Sequence, residues 1–261
     1  MHNDCAMASG QKEIGERVKT YTSGLASSAS ELMLFAICYN LDLGSVTDHP
    51  LDQEAHAAIR DINFSSFKRS LTHLKSKGLI VEADGTSTGY ELTQEGRNEM
   101  NSTVPQYNNE RAWDGKIYLV NYDLPVSSNS ARNAFREYLK EIGFGLLQHS
   151  LWLNPYDPRI KLRKYIEENS VEKENIIVSA ANIETELYGY QIPQLVETAY
   201  SLSDINNRYR GFNEESDQGI SRERKIFRFL NILKDDPQVP YDLLPDDWAG
   251  YRSKELFDEV L

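Results

Sequence analysis

Between Lys116 and Pro155 the hydrophobic and polar positions change period twice without interruption, in the stretch KIYLVNYDLPVSSNSARNAFREYLKEIGFGLLQHSLWLNP. Ile117 to Tyr122 is a short β-favouring run that stops at Asp123-Leu124-Pro125, where proline removes a ladder donor and restricts the residue before it. Ala131, Ala134, Phe135, Tyr138, Leu139 and Ile142 then share one face at helical spacing, and Gly143 closes that helix. Leu146 to Leu153 reads as a second β run, with Trp152 as its large apolar body and Asn154-Pro155 at its end. A helix from Arg159 to Glu168 and a strand from Glu174 to Ala181, centred on Ile176, Ile177 and Val178, complete the series. Strand, helix, strand or hairpin, helix, strand is the order of a ferredoxin-like βαββαβ domain. The pattern leaves open whether Phe144 to Leu153 is one strand or a tight hairpin; Gly145 permits a bend there.

The flanking regions carry different patterns. Residues 1–29 are polar and rich in small side chains, which predicts a flexible segment with a weak helical signal near Ile14 to Val18. Ser30 can cap an apolar helix from Glu31 to Leu41, and a weaker helical stretch covers Gln53 to Ile59. Asn63 to Lys77, NFSSFKRSLTHLKSK, is amphipathic: Phe64, Phe67, Leu71 and Leu74 form its predicted buried face, with Ser65, Ser66, Arg69, Thr72, His73 and Ser76 opposite and Lys68 and Lys75 at the sides. Two short β runs around Asp84-Gly85 follow, ending at Tyr90 to Leu92, and a helix starts at Thr93 to Arg97. Helix, helix, basic helix and β-ribbon is the winged helix-turn-helix order. After a polar linker, Gln106 to Gly115, and the central domain, Ile192 to Tyr209 is helical, Gly211 to Gly219 reads as an acidic loop, and Ser221 to Leu233 is a second basic helix. A final amphipathic helix spans Tyr251 to Leu261. The fold class is therefore α+β: a flexible segment (1–29), a winged helix (30–107), a ferredoxin-like βαββαβ domain (108–185) and a mostly helical C-terminal domain (186–261).

Charge sharpens this picture. A formal net charge of −12 argues against indiscriminate coating of nucleic acid. Against that background Asn63 to Lys77 has four Lys or Arg and no acid. A helix fits the major groove, short donors and acceptors such as Ser, Thr and Arg reach base edges there, and flanking lysines meet phosphates. The candidate DNA-binding residues are thus Ser65, Ser66, Lys68, Arg69, Thr72, His73, Lys75 and Ser76. A solvated basic face is the alternative reading of the helix alone. Cys5 and Cys38 form no CxxC pair, the five histidines have no metal-ligand spacing, and no GxSxG, Walker or dinucleotide fingerprint occurs, so neither an enzyme nor a cofactor is expected. No apolar run approaches a membrane span and the N-terminus lacks a secretion pattern, which predicts a cytoplasmic protein.

Three stretches resemble the PaaX family of transcriptional regulators, the repressors associated with bacterial phenylacetic acid degradation: the winged-helix run up to Gly96-Arg97, YLVNYDLP…AFREYLKEIGFGLLQHSLWLNP, and DDPQVPYDLLPDDWAGYRSKELF. The resemblance covers about residues 30–261 and implies a dimeric repressor on a double-stranded operator, with a winged helix, a ferredoxin-like dimerisation domain and a helical C-terminal domain. It also implies a small-molecule effector, since an aryl-coenzyme A thioester can act as inducer in that family. Arg222, Arg224, Lys225 and Arg228 suit the phosphates of such a ligand chemically, although an amphipathic basic helix is more often a solvated face. The central stretch further resembles the small ferredoxin-fold CRISPR-associated nucleases, in which an aspartate at a strand end holds a metal across a dimer axis. Asp123 occupies the matching position, giving as alternative function a metal-dependent endonuclease using Asp123 from two subunits. An aspartate just past a strand end also serves as a turn or capping residue.

Overall fold

A computed structural model describes residues 2–60, 62, 64–123, 129–169, 175–182 and 189–261, with side chains from residue 11 onward. Asn63, Leu124-Pro125 and Glu174, which figure in the predicted elements, lie outside the described residues. The chain forms two compact units, one from Met1–Tyr107, Asn207–Asp236 and Ala249–Leu261, the other from Asn108–Asn206 and Pro237–Trp248.

The first unit is built on α2 (Ala29–Cys38), whose Leu32, Met33, Leu34, Phe35, Ala36 and Ile37 are all buried. A helix apolar on every side needs neighbours all round. It has them in α1 (His2–Tyr21), α4 (Phe64–Ser76), α5 (Gln94–Thr103) and strand β2 (Tyr90–Leu92). Residues 1–29, predicted to be flexible, thus contain a helix with Val18 and Tyr21 buried, because apolar neighbours supply what its sequence lacks. The α2 cap is Ser28 rather than Ser30: its hydroxyl accepts from Glu31 N at 3.2 Å while the Glu31 carboxylate takes Ser27 N at 2.6 Å.

Helix α3 (Pro50–Arg60) precedes α4, and Gly78 ends α4 at φ 68°. Gly78 N bonds Lys75 O and Leu79 N bonds Leu74 O, both at 3.0 Å, the paired closure that a left-handed glycine allows. It turns the chain into β1 (Ile80–Glu82), which pairs antiparallel with β2 in the register Ile80↔Leu92 and Glu82↔Tyr90. Thr93 caps α5 and donates to Gly78 O at 2.6 Å, tying the ribbon to the end of α4.

The C-terminal helices divide between the units. Ser201 (φ 52°) separates α8 (Ile192–Tyr200) from α9 (Leu202–Asp217), so the predicted acidic loop at 211–219 is in fact helical as far as Asp217. Helix α10 (Arg222–Asp235) enters the first unit, where Phe227 lies edge-on to Tyr21 and Phe35 at 5.6 and 5.9 Å. Phe229 stacks on Phe257 of α11 (Gly250–Asp258) at 4.4 Å.

The second unit is a four-stranded antiparallel sheet of β3 (Lys116–Tyr122), β4 (Gly145–Gln148), β5 (Leu151–Asn154) and β6 (Ile176–Asn182), in the order β4-β5-β3-β6. This is the ferredoxin-like topology, and Phe144 to Leu153 is resolved as a hairpin. Helices α6 (Asn129–Glu141) and α7 (Arg159–Glu168) supply Phe135, Leu139 and Leu162, which bury Val120, Tyr122 and Trp152 on one face of the sheet. Helix α8 lies on part of the other face. Gly145 does not bend the strand there; it removes a side chain, since a Cβ would stand 2.6 Å from Ala199 O on α8.

Candidate nucleic-acid interface

Helix α4 presents Ser65, Lys68, Arg69, Thr72, His73, Lys75 and Ser76 to solvent. Ser66 departs from the prediction. It is 7% exposed, and with Ser70 and Leu74 it forms the inward row at i, i+4 and i+8, while Phe64, predicted to be buried, is 81% exposed. The helix is therefore rotated relative to a pattern that sorts serine with the polar residues. Small side chains at 66 and 70 allow α2 a close approach, and Ser70 Oγ satisfies itself on Ser66 O at 3.0 Å.

The exposed face is polar and acid-free. Thr72 and Ser76 donate to Lys68 O at 2.9 Å and His73 O at 2.8 Å, which orients their oxygens and leaves lone pairs for an outside donor. Arg69 is folded along its own helix, with Nε on Ser65 O and Nη2 on Ser66 Oγ, both at 3.3 Å. Lys75 reaches Glu82 on the ribbon at 2.6 Å, and this hydrogen bond holds the ammonium above, and the carboxyl below, its ordinary pKa. The pair is solvent-exposed, so a phosphate can displace the carboxylate at small cost. The ribbon turn from Ala83 to Gly89 has Asp84 and no Lys or Arg, which leaves α4 as the basic element of this surface. Beside α4 a cleft of about 370 Å³ is lined by Ile14 and Gly15 of α1, Ser27 to Ser30, and Ser66, Arg69, Ser70 and His73. Phe64 is the residue that sequence reasoning missed; its spacing assigned it to the core.

The second basic stretch, on α10, is turned toward the protein. Arg222 donates to Tyr39 O (2.9 Å), Asn40 O (3.4 Å) and Val260 O (2.7 Å), closing the carbonyl end of α2. Arg228 is bidentate to Glu215, at 2.7 and 2.9 Å. Arg224 reaches Ser23 Oγ at 3.2 Å, and burial, then Arg228, lowers its pKa. Lys225 is half-buried. Next to Arg224 a cavity of about 10 Å³ is bordered by Tyr21, Asp52 and Ser221, room for about one water. Three of the four basic side chains are thus engaged by different partners within the protein. The α10 N-cap, Ser221, is itself held by buried Asp52 of α3, whose carboxylate takes Ser221 N at 2.7 Å and Ser221 Oγ at 2.9 Å and also accepts from Thr47 Oγ1.

Asp123 is exposed, with its backbone N–H on Asn175 O at 2.9 Å. Among the described residues no three His, Cys, Asp or Glu side chains are grouped to hold a metal ion, and no helix is long and apolar enough to cross a membrane.

The chain thus combines a winged helix packed with C-terminal helices in one unit and a ferredoxin-like sheet in the other. Residues 110–188 match the PaaX protein central Cas2-like domain and residues 219–261 the PaaX-like protein C-terminal domain. Two models of the PaaX family thus match the central and C-terminal parts of the chain, in support of assignment to that family. It is 26% identical over 212 residues to the transcriptional repressor PaaX of Escherichia coli (strain K12), a match covering 72% of this chain and 65% of that protein's length. An uncharacterized protein, Rv0674 from Mycobacterium tuberculosis, shares the fold at 17% identity and a TM-score of 0.55, over 88% of this chain and 93% of the other.

Proposed function

We propose that the chain is a sequence-specific DNA-binding transcriptional regulator of the PaaX type, a cytoplasmic homodimer that represses and is released by a small-molecule effector, an acyl- or aryl-coenzyme A by family resemblance. One observation carries the DNA reading: in a chain of net charge −12, α4 offers solvent an acid-free face of Lys68, Arg69, Thr72, His73, Lys75 and Ser76. Lysines at the flanks meet phosphates, and the hydroxyls and guanidinium meet base edges in the major groove. In this reading Phe64, exposed at the first turn of the same helix, would meet a thymine methyl. The name of the Escherichia coli relative supports the same reading.

Self-association is supported by the sheet. Its order leaves one side of β6 without a partner among the described residues, and Ile176–Asn182, IIVSAAN, has none of the charges or prolines that normally blunt an edge strand. Two copies joined through the central unit would present two α4 helices to a near-palindromic site. Selection of bound sequences from a randomised duplex pool, followed by footprinting at several salt concentrations, tests the proposal. Enrichment of two half-sites about one or more helical turns apart is expected; recovery of unenriched sequence contradicts it. No observation favours the nuclease reading over this one.

A further inference from the structure

The face of the sheet opposite the α6–α7 core is only partly covered. Helix α8 is clamped on the β4–β5 side: Gly145 admits Ala199, and the Tyr200 hydroxyl bridges Gly143 O at 2.8 Å and Leu153 O at 2.9 Å. Ile192 and Val196 of α8 are fully buried by this contact. Beyond it, cross-strand neighbours Leu119↔Ser179, Asn121↔Leu151 and Asn121↔Ile177 form an open floor. Leu195 and Thr198, three apart and so on one side of α8, face this floor as a wall. Together with Leu147, Gln148 and Tyr190 they enclose about 580 Å³.

We infer that this cavity is a binding site for an uncharged small molecule with a flat aromatic or branched apolar body and one or two hydrogen-bonding groups. Its volume lies within the roughly 300–1,000 Å³ usual for small-ligand sites, and its composition, apolar walls with a few polar groups, is that of such sites. The lining contains no Lys, Arg, His, Asp or Glu, so a charged headgroup entering it would lose hydration without a partner. The polar groups available are those of Asn121, Gln148 and Ser179, which have no protein partner among the described residues, and the Tyr190 phenol; the Thr198 hydroxyl is already spent on Gln194 O at 2.9 Å. The Gly145 and Tyr200 contacts hold the wall in place before any ligand arrives, so little ordering is needed on binding. The site is independent of the α10 arginines and of the DNA reading.

N-phenyl-1-naphthylamine, a neutral aromatic probe whose emission rises in apolar surroundings, tests the inference on the full chain. Saturable enhancement at one probe per chain is expected. Asn121→Trp and Thr198→Trp, both at exposed positions and each filling the cavity from an opposite side, should weaken binding at least ten-fold with unchanged far-UV circular dichroism. Enhancement that does not saturate, or affinity unchanged in both folded variants, overturns the inference. So does a lack of probe binding accompanied, in sedimentation, by loss of self-association in the two variants, which would assign the face to a second copy.

Discussion

Removing the Asp52 carboxylate tests whether α10 is part of the winged-helix unit's own core. Asp52 is 3% exposed and takes two hydrogen bonds from Ser221 and one from Thr47. In Asp52→Ala the Thr47 and Ser221 hydroxyls can rotate toward other acceptors, but Ser221 N–H is fixed by the start of α10 and keeps no acceptor. Leaving this part-buried donor without its acceptor costs about 1 kcal/mol, and the other lost bonds to the carboxylate raise the total to about 2–4 kcal/mol. Ser221→Ala removes one of the Asp52 bonds and the α10 cap, whose hydroxyl accepts from Arg224 N at 3.2 Å, for about 1–2 kcal/mol. The two side chains share a bond, so the double variant should cost less than the sum, with a coupling of about 1–2 kcal/mol. Urea unfolding followed by circular dichroism measures all three. A loss below about 1 kcal/mol for Asp52→Ala, or additivity within about 0.5 kcal/mol, refutes the reasoning.

Three further outcomes are expected. Gly145→Ala forces a methyl against the Ala199 backbone, which cannot yield as a side chain would, and should destabilise the central unit by about 1–3 kcal/mol in the same assay. Phe64→Ala should leave stability nearly unchanged while abolishing any preference for thymine over deoxyuracil at one operator position, read by replacing each thymine in turn. The Asp157 carboxyl, held down to about 2 by hydrogen bonds from Arg159, adds stability that is complete above its unfolded value of roughly 4 and is lost as pH falls through about 2. Carboxyl resonances followed by NMR should show that low midpoint, and Arg159→Ala should return it toward roughly 4.

The central sheet and its helices were legible because their apolar positions keep one period for a full element; Phe135 and Leu139 reach the core that their spacing assigns them, against Val120 and Trp152 of the apolar β runs. The hairpin was not, since His149-Ser150 is a weak turn signal within an apolar run and only pairing with β3 separates its two strands. Helix α1 was illegible for a related reason: its own sequence favours helix weakly, and burial of Val18 and Tyr21 decides the matter. In the candidate interface, the helix singled out by its charge is a helix with its basic side chains exposed, while a binary pattern misplaced Phe64 and Ser66 because it ignores size, and the small serines at 66 and 70 are what let α4 approach α2. The basic residues of α10 show what charge alone leaves out. Sequence reports four cations, but the partners of three of them, the carbonyls of Tyr39 and Val260 for Arg222, Ser23 Oγ for Arg224 and the carboxylate of Glu215 for Arg228, are distant along the chain or on another helix.

The DNA reading turns on one side chain more than any other. Arg69 sits mid-helix on the exposed face and, among the described residues, is held by two 3.3 Å contacts to its own helix, from which it can extend. With an operator obtained by selection, equilibrium binding of Arg69→Ala should fall by about 1–3 kcal/mol, roughly five- to 150-fold, with the fold retained and affinity for unrelated duplex little changed. Operator affinity equal to that of the parent chain would contradict the placement of α4 in the groove.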